Sequence, residues 1–281
     1  MILSINPQLL QHIHMALQED AYDQDLTAIA TIPANQIGRA TIISKAHGVL
    51  SGIDVAKAVF HTVNPAFITT WFKDDGEAIA PFEPLCTLEG PLQQLLSVER
   101  TALNYMQHLS GIATETNRYV QAIEGTGCTI VDTRKTAPGM RALEKRAVQH
   151  GGGNNHRHDL ASGMLIKENH IAAAGSITTA IEACRALAKM HPDTWVEVEC
   201  ETLEEVAEAV AAAPDIILLD NMDIATTRAA RAMIPSTIIT ESSGGITLAN
   251  LRDYAETGVD RIAIGYITHS APALDLSMRV Q

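Results

Sequence analysis

A short segment of the chain holds cationic side chains that could bind an anion. Arg134 and Lys135 follow the apolar residues TIV, His156 and Arg157 follow a run of glycines, and Lys167 ends the run MLIK. Between positions 134 and 167 there are seven Lys or Arg residues and two acidic ones, although the whole chain has a formal net charge of −13. A basic segment in an acidic protein predicts a local anion site and not a general affinity for polyanions.

Polar residues or glycines stand at the end of each of six short apolar runs. In β/α barrels the active site is built from the carboxyl ends of the strands and the loops that follow them. The pattern therefore predicts that these residues meet at one mouth of a barrel. In chain order the runs TIVDTRK, MLIK, VEVE, IILLD, ITESSGG and IAIG deliver Arg134 and Lys135, Lys167, Glu199, Asp220, Ser243 with Gly244 and Gly245, and Gly265.

The residue types at this mouth indicate which ligands it would take. Arg binds carboxylates through a bidentate fork, and Lys offers a mobile point charge to phosphate or carboxylate. The stretch ESSGG precedes ITLANL, which predicts a helix whose first backbone N–H groups could hold a phosphate. Glu199 and Asp220 could hold ribose hydroxyls or, through water, Mg²⁺. A polycarboxylate beside a phosphorylated sugar fits this set.

The elements that position these residues have a β/α rhythm. Helices are predicted at 175–190, 202–212, 223–233 and 247–257, between several of the apolar runs. The later runs are spaced by about 20–25 residues, which is typical of β/α units with a parallel sheet. Six runs predict an α/β protein with a β/α barrel, either complete or incomplete. A doubly wound sheet is the alternative, although no G-x-G-x-x-G follows the first run.

The N-terminal part has a different pattern and predicts a small α+β unit. A helix is expected to end near Glu19, followed by extended segments between turn residues. The segment SVERTALNYMQHLSGIATETNRYVQAI has apolar residues at helical spacing, and Arg100 lies off that stripe, towards water or another surface. We expect domains at 1–108 and 109–281, with the last helix returning to the N-terminal domain.

Several charged residues have alternative interpretations. For Arg141, Lys145 and Arg146, which share a predicted helix, a solvated face is favoured. Asp220 could be a helix N-cap instead of a cleft residue. Glu197 lies on the same strand face as Glu199 and could be a buried partner for one of the bases.

Composition excludes some classes of protein. Hydrophobic residues make up 46% of the 281 positions and charged residues 19%, which predicts a globular protein with a substantial core. There is neither an apolar run of eighteen residues nor a signal-peptide pattern, so we expect a cytoplasmic protein without a membrane partner. The acidic balance argues against nucleic acid as a partner. The four scattered cysteines, without a C-x-x-C, predict reduced thiols.

Taken together, eight motifs carry a family resemblance. ERTALNYMQHLSGIAT, DTRKTAPGMR, GGGNNHR, LIKENHI, VEVE, LLDN, ESSGGI and TGVDRIAIGYITHS resemble the quinolinate phosphoribosyltransferase family in order and spacing. The resemblance implies an N-terminal α/β sandwich and an open, type II phosphoribosyltransferase-like barrel. It also implies that quinolinate and phosphoribosyl pyrophosphate (PRPP) give nicotinate mononucleotide, pyrophosphate and CO₂, a step of NAD biosynthesis, with Mg²⁺ as cofactor.

The resemblance assigns roles to the candidate residues. Arg134 and Arg157 match the residues that bind the quinolinate carboxylates, and His156 and Lys167 match their neighbours. Arg100 matches an Arg that reaches in from the other subunit of a homodimer. Lys135, Lys167, Glu199 and Asp220 are the expected catalytic residues. No side chain is expected to bind the metal directly, because Mg²⁺ is carried by PRPP near Glu199 and Asp220. The expected phosphate seat consists of Ser243, Gly244, Gly245, Gly265 and His269.

The chain also departs from the family pattern. Where the family has HRxGLSD, this chain has HRHDLAS, with Asp159, Ala161 and Ser162 at the changed positions. An Asp at position 159 could pair with Arg157 and reduce the charge of the pocket. The stretch EDAYDQDLT lacks the usual glycines.

Two other functions stay open on sequence alone. Lys167 at a strand end could be the nucleophile of a Schiff-base lyase or aldolase on a β/α barrel. A family member that has lost its activity and binds a pyridine carboxylate as a sensor is the second alternative.

Overall fold

The computed structural model describes residues 7–191 and 193–281. Its helices, numbered in chain order, are α1 (Pro7–Glu19), α2 (Leu26–Thr31), α3 (Ile53–Val63), α4 (Leu92–Ala122), α5 (Arg141–His150), α6 (Glu168–Ala174), α7 (Ile177–Ala188), α8 (Leu203–Ala212), α9 (Ile224–Met233), α10 (Leu251–Ala255) and α11 (Tyr266–His269), with a 3₁₀ turn at Tyr22–Gln24. The strands are β1 (Ile37–Ser44), β2 (Gly48–Val49), β3 (Ile68–Trp71), β4 (Ala78–Ile79), β5 (Pro84–Pro91), β6 (Thr129–Val131), β7 (Met164–Ile166), β8 (Val196–Cys200), β9 (Ile216–Asp220), β10 (Ile239–Ser243), β11 (Arg261–Ala263) and β12 (Leu276–Val280).

The described chain divides into two compact units. The first contains the described residues up to Glu115 together with Pro138–Gly152 and Ser270–Gln281, and the second contains Thr116–Ala137 and Gly153–His269. The predicted division at residue 108 would instead have made each domain one continuous segment of the chain. The first boundary falls inside α4, so the end of a helix does not mark it.

The first unit is built on an antiparallel sheet with strand order β12-β1-β5-β3 over the described residues. Its C-terminal strand pairs with β1, so that Ser44 lies opposite Leu276 and Ala40 opposite Val280. The sequence predicted that the last helix returns to this domain. This is wrong, because the element that returns is a strand. The segment LSMRV alternates, with Leu276 and Met278 buried, and this period of two belongs to a strand.

Helix α5 belongs to the first unit, where its charged residues are held by partners. Glu144 is fully buried and accepts a hydrogen bond from His108 at 2.9 Å. Arg146 pairs with Asp54 at 2.9 Å, and Lys145 is only 2% exposed. The favoured interpretation of a solvated face is wrong for Lys145 and Arg146. The helix pattern could not reveal this, because the partners come from distant parts of the sequence.

The second unit contains a parallel sheet whose described strands follow the order β6-β11-β10-β9-β8-β7. From β7 to β11 each new strand is added on the same side of the previous one, whereas a doubly wound sheet reverses direction at a switch point. Strands β6 and β7 lie at opposite edges, so the barrel stays open. The six predicted strands and the open barrel are confirmed.

The predicted helices of this unit are confirmed, except that one of them begins later in the sequence than predicted. Helices α7, α8 and α9 match the predicted segments within two residues. Helix α10 begins only at Leu251, because Asn250 Oδ1 accepts a hydrogen bond from the Thr247 backbone at 2.7 Å and closes a turn there. Helix α6, with no buried residue, was not predicted.

All four cysteines lie in described parts of the chain and are free thiols. Burial raises the pKa of Cys86, Cys128 and Cys200 to about 12, so these thiols are largely protonated and unreactive near neutral pH. That the cysteines are reduced stays a prediction.

Within residues 7–191 and 193–281, no single helix is long and apolar enough to cross a bilayer. Helices α6 and α7 reach that length and composition only as a pair, and they are bent by 94° at the break between them.

Gly111, in the middle of α4, lies against the backbone of the C-terminal segment. A Cβ at this position would overlap the carbonyl oxygen of Pro272 and approach its carbonyl carbon to 3.0 Å. The next residues are fixed by a hydrogen bond of 2.9 Å from Leu274 N to Gln107 O. The missing side chain is therefore a packing requirement.

We predict that Gly111→Ala lowers the free energy of unfolding by about 1–3 kcal/mol, the usual cost of overpacking. In a solvated helix the same change would stabilise the protein by about 1 kcal/mol through helix propensity. Thermal and urea unfolding measure the difference. Asn104→Ala, at an exposed position of α4, is the control and should not destabilise the protein. An unchanged or raised stability of Gly111→Ala would refute the close packing.

Candidate active site

A cleft of about 720 Å³ opens at the carboxyl ends of the parallel strands of the second unit. It brings together every predicted site residue except Arg100, which belongs to the first unit. Sequence reasoning missed other residues of the wall, including Thr133, Asn221, Glu241 and Tyr266. The predicted residues that line the cleft are Arg134, Lys135, His156, Arg157, Lys167, Glu199, Asp220, Ser243, Gly244, Gly245, Gly265 and His269.

Strand register explains why these residues meet. In the β9–β10 pair Asp220 lies opposite Ser243, and in the β8–β9 pair Glu199 lies opposite Leu218. Parallel strands all end at the same edge of the sheet, so side chains at the ends of consecutive strands become neighbours. Since side chains alternate between faces, only every second residue of each strand points into the barrel.

Two guanidinium groups lie together in the cleft. Burial lowers the pKa of Arg157, and the nearby charge of Arg134 lowers it further. Arg157 Nη1 donates to the carbonyl oxygen of Gly163 at 3.0 Å. The Nε of Arg134 is buried and has no hydrogen-bond partner in the part of the chain that the structure describes. Two neighbouring cations with donors to spare form a site for an anion with more than one charge.

Lys167 and Glu199 form an ion pair in the wall of the same cleft. Lys167 Nζ lies 2.6 Å from Glu199 Oε2. Burial raises the pKa of Glu199, the hydrogen bond from Lys167 opposes this rise, and Asp220 adds to it. A Schiff-base lysine needs a free amine without a charge. The pairing of Lys167 with a carboxylate therefore disfavours the aldolase alternative.

Asp220 lies beside Glu199 as a cleft residue. The N-cap of α9 is Asp223, whose side chain accepts from Thr226 N at 2.7 Å, so Asp220 does not cap that helix. Oxygen atoms of Glu199, Glu201 and Asp220 lie within 4.8 Å of one another. Carboxylates at this separation can bind Mg²⁺, directly or through its water ligands.

The glycines after β10 shape a loop in the cleft wall. Gly244 and Gly245 have φ angles of 92° and 64°, a region that favours glycine. A Cβ on Gly244 would approach the backbone nitrogen of Asn221 to 2.8 Å. Because α10 starts only at Leu251 and has five residues, the predicted helix N-terminus after ESSGG is wrong. Any phosphate here would meet loop N–H groups instead.

A buried layer of charged residues lies beneath the cations. Glu197 and Glu241 are fully buried, and both form ion pairs with Arg261. His156 lies 2.9 Å from Glu197, in agreement with the expected pairing of Glu197 with a base. Burial raises the pKa of Glu241 well above its usual range, the charge of Glu197 adds to this rise, and Arg261 opposes it. Glu241 lies in the run ITES and Arg261 in the run DRIA. Their inward-facing strand positions could have revealed them in the sequence.

Asp159 does not pair with Arg157. Its Oδ1 accepts hydrogen bonds from the backbone of Ala161 at 2.9 Å and of Ser162 at 3.0 Å. These bonds lower the pKa of Asp159, with that from Ala161 contributing most. Ser162 Oγ in turn accepts from His158 N at 2.9 Å. The residues that depart from the family motif thus close a turn of their own, and the expected loss of pocket charge through an Asp159–Arg157 pair is wrong.

Arg100 is exposed on α4 in the first unit. It lines a separate groove of about 350 Å³, together with His12, Asp20 and Tyr105. Tyr105 and His12 share a hydrogen bond of 2.7 Å. The predicted position of Arg100 away from its helix's buried stripe is confirmed.

The fold and the cleft define a class: an open β/α barrel whose strand ends gather cations, carboxylates and a glycine loop around a polyanion site. Comparison with known proteins agrees. Residues 25–110 match the N-terminal domain of quinolinate phosphoribosyl transferase, and residues 112–279 match its C-terminal domain. The chain therefore belongs to the quinolinate phosphoribosyltransferase family, and the resemblance in its motifs is confirmed.

Individual relatives match nearly the whole chain. The nicotinate-nucleotide pyrophosphorylase (carboxylating) of Mycobacterium leprae is 42% identical over 272 residues, which cover 95% of both chains. The probable enzyme of the same name from Bacillus subtilis is 42% identical and covers 97% of this chain and 92% of its own. The crystal structure of NadC from Streptococcus pyogenes has a TM-score of 0.92 and 36% identity, and covers 96% of this chain and 95% of its own.

Proposed function

We propose that this chain is the pentosyltransferase that converts quinolinate and PRPP to nicotinate mononucleotide, pyrophosphate and CO₂ in NAD biosynthesis. One observation carries the proposal: Arg134 and Arg157 lie close enough for the charge of one to lower the pKa of the other, and the buried Nε of Arg134 is unsatisfied within the described chain. A dicarboxylate supplies the two negative charges that such a pair needs.

Quinolinate is assigned to the cationic side of the cleft. Its two adjacent carboxylates are bound by the guanidinium groups of Arg134 and Arg157, with His156 and Lys167 close by. Arg suits this task because its planar fork matches a carboxylate and keeps its charge when partly buried. The pyridine nitrogen then faces the sugar-phosphate side of the cleft.

PRPP is assigned to the strand ends from β8 to β11. Its phosphates are held by backbone groups of Gly244, Gly245 and Gly265 and by the side chains of Ser243 and His269. The close approach of Gly265 to the Lys135 side chain, where a Cβ would lie 3.0 Å from Lys135 Cδ, supports a shared phosphate region. Glu199 and Asp220 accept hydrogen bonds from the ribose hydroxyls.

Mg²⁺ is the proposed cofactor, carried by the pyrophosphate group of PRPP. The carboxylate oxygens of Glu199, Glu201 and Asp220, within 4.8 Å of one another, form a donor set that suits this hard cation. When bound, Mg²⁺ would neutralise charge on the pyrophosphate leaving group. No side chain is proposed as a direct ligand, since water can bridge the carboxylates to the ion.

The reaction can proceed without a covalent protein intermediate. The pyridine nitrogen attacks C1 of the ribose as pyrophosphate leaves, and positive charge develops on the sugar. Glu199 and Asp220 stabilise that charge, and Lys135 and Lys167 stabilise the negative charge that moves to the leaving group. When the neighbouring carboxylate leaves as CO₂, the electron pair of the broken bond stays on the ring carbon, where the adjacent quaternary nitrogen stabilises it through its positive charge. A proton then adds to that carbon in place of CO₂. Positioning of two polyanions is thus the main task of the protein.

The active form is proposed to be a homodimer, or a higher homo-oligomer, in which Arg100 enters the cleft of the partner subunit. Its exposure on α4, in a groove of the first unit, supports this assignment. A cytoplasmic location is proposed as well, since free cysteines are typical of a reducing compartment.

The reaction is tested by release of labelled CO₂ from quinolinate labelled in its 2-carboxylate. We expect release only when PRPP and Mg²⁺ are both present, because the ring must be quaternised before it loses CO₂. Lack of release from folded protein that still binds quinolinate would refute the proposal and indicate a sensor. Trapping of a carbonyl substrate by borohydride at Lys167 would indicate the aldolase.

The quinolinate site is tested by Arg134→Ala and Arg157→Ala. Each should weaken quinolinate binding by about tenfold to a hundredfold, since a charge-assisted hydrogen bond contributes about 1.5–3 kcal/mol. PRPP binding should stay within about twofold. Calorimetry measures both affinities, and Arg228→Ala, at an exposed position of α9, is the control. An equal loss of both affinities would contradict the assignment.

The role of Arg100 is tested by mixing two inactive variants, Arg100→Ala and Lys167→Ala. If Arg100 acts across the interface, random reassembly should restore about a quarter of the wild-type sites, since each mixed dimer has one intact cleft. Lys167→Ala mixed with Arg134→Ala is the control, because both defects lie in the cleft of their own subunit. Activity no higher than in this control would place Arg100 in its own subunit's site or in none.

A further inference from the structure

The interior of the barrel is polar directly beneath the cleft. Glu197 on β8, Glu241 on β10 and Arg261 on β11 form what we call the buried ion layer. Glu241 lies opposite Arg261 in the β10–β11 register, and Arg261 Nη2 lies 3.4 Å from Glu197 Oε1. Both carboxylates are fully buried and the Arg261 side chain is 17% exposed. Inward positions of parallel strands are usually apolar, so this layer needs an explanation beyond packing.

His156 is held between this layer and the cleft wall. Its Nε2 lies 2.9 Å from Glu197 Oε2 and 3.6 Å from Glu241 Oε1. Its backbone N–H donates to Asp132 Oδ1 at 2.8 Å, and its ring is nearly perpendicular to that of Trp195 at a centroid distance of 5.2 Å. The side chain is 6% exposed. A ring fixed on so many sides has one orientation.

The other ring nitrogen of His156 is used by the next residue. His156 Nδ1 accepts a hydrogen bond from the backbone N–H of Arg157 at 2.8 Å. An accepting nitrogen carries no proton, so the ring proton lies on Nε2 and faces the carboxylates of the buried ion layer. Nδ1 is therefore hydrogen-bonded to the backbone, and Nε2 lies 2.9 Å from a buried carboxylate oxygen.

Trp195 connects the same elements from the other side. Its ring contacts His156, and the Arg261 guanidinium lies 6.0 Å from its centroid. It also packs on Gly163, where a Cβ would come within 2.8 Å of the indole ring. The carbonyl of Gly163 accepts from Arg157 Nη1 at 3.0 Å. Arg157 is thus fixed at its backbone by His156 and at its guanidinium by Gly163.

We propose that His156, Trp195 and the buried ion layer are positioning residues, which orient Arg157 through the Arg157 N to His156 Nδ1 hydrogen bond. His156 acts on the substrate through Arg157 and not by contact of its own ring with the ligand. The inference rests on the proposed function, because Arg157 is assigned there to a quinolinate carboxylate. A misplacement of such a group by about 1 Å can cost about a hundredfold in rate.

His156→Asn and His156→Ala separate positioning from direct binding. The side-chain oxygen of Asn can take the place of Nδ1 and accept from Arg157 N, but Asn cannot become a cation. We expect His156→Asn to keep quinolinate affinity within about fivefold of wild type, and His156→Ala to lose about tenfold to a hundredfold. The KM for PRPP should change little in either variant. Equal losses in both variants would overturn the proposal.

Amide hydrogen exchange at Arg157 tests the hydrogen bond without any substrate. The Arg157 amide of ¹⁵N-labelled protein should exchange slowly in wild type and in His156→Asn, and much faster in His156→Ala. Fast exchange in wild type would refute the positioning role even if the enzyme is active. Slow exchange with no CO₂ release would instead count against the proposed function alone.

Glu197→Gln tests the layer itself. An amide cannot satisfy both Arg261 and the Nε2–H of His156, so we expect the Kd of quinolinate to rise by about threefold to tenfold and the KM of PRPP to stay unchanged. Glu208→Gln is the matched control, since Glu208 accepts from Thr178 in the helical shell of the same unit. A lower melting temperature with unchanged quinolinate affinity would show that the layer only stabilises the fold.

Discussion

Two like charges have to be held side by side in a partly buried cleft, and the rest of the second unit depends on meeting this requirement. Arg134 and Arg157 repel each other, and each loses water on entering the cleft. The repulsion is tolerable only if the backbone holds both groups rigidly and a doubly charged anion offsets it. Their separation in sequence, on either side of a segment that belongs to the other unit, means that the fold alone brings them together.

The parallel sheet meets the requirement in two layers. The upper layer holds groups that face the cleft, such as Lys167, Glu199 and Asp220. The lower layer replaces the usual apolar interior with Glu197, Glu241 and Arg261. Buried charges contribute little to stability, but ion pairs between them restrict the orientation of each member. For catalysis that consists mainly of placing two polyanions, such rigidity matters more than an additional apolar contact.

The departures from the family pattern are absorbed locally. Asp159 and Ser162 satisfy the backbone of their own turn, so a new acid beside the cleft does not neutralise Arg157. In the first unit, Gly111 leaves room for the segment that leads to β12. In each case the effect of a side chain, or of its absence, depends on the neighbouring backbone and not on charge or size alone.

The sequence by itself determined the six strands, the barrel and many of the residues around the cleft, because strand period, helix spacing and the polar ends of strands are local patterns. Tertiary structure alone decided where α5 belongs, that the last element is a strand, and that α10 starts after a turn at Asn250. It also decided that Asp159 avoids Arg157 and that Glu241 and Arg261 lie beneath the cleft. The places of α5, β12, Glu241 and Arg261 depend on partners from distant positions, and local patterns carry no information about which distant groups will meet. The turns at Asn250 and Asp159 are closed by hydrogen bonds within three residues, and the structure decides between these bonds and the alternatives that the same residue types allow.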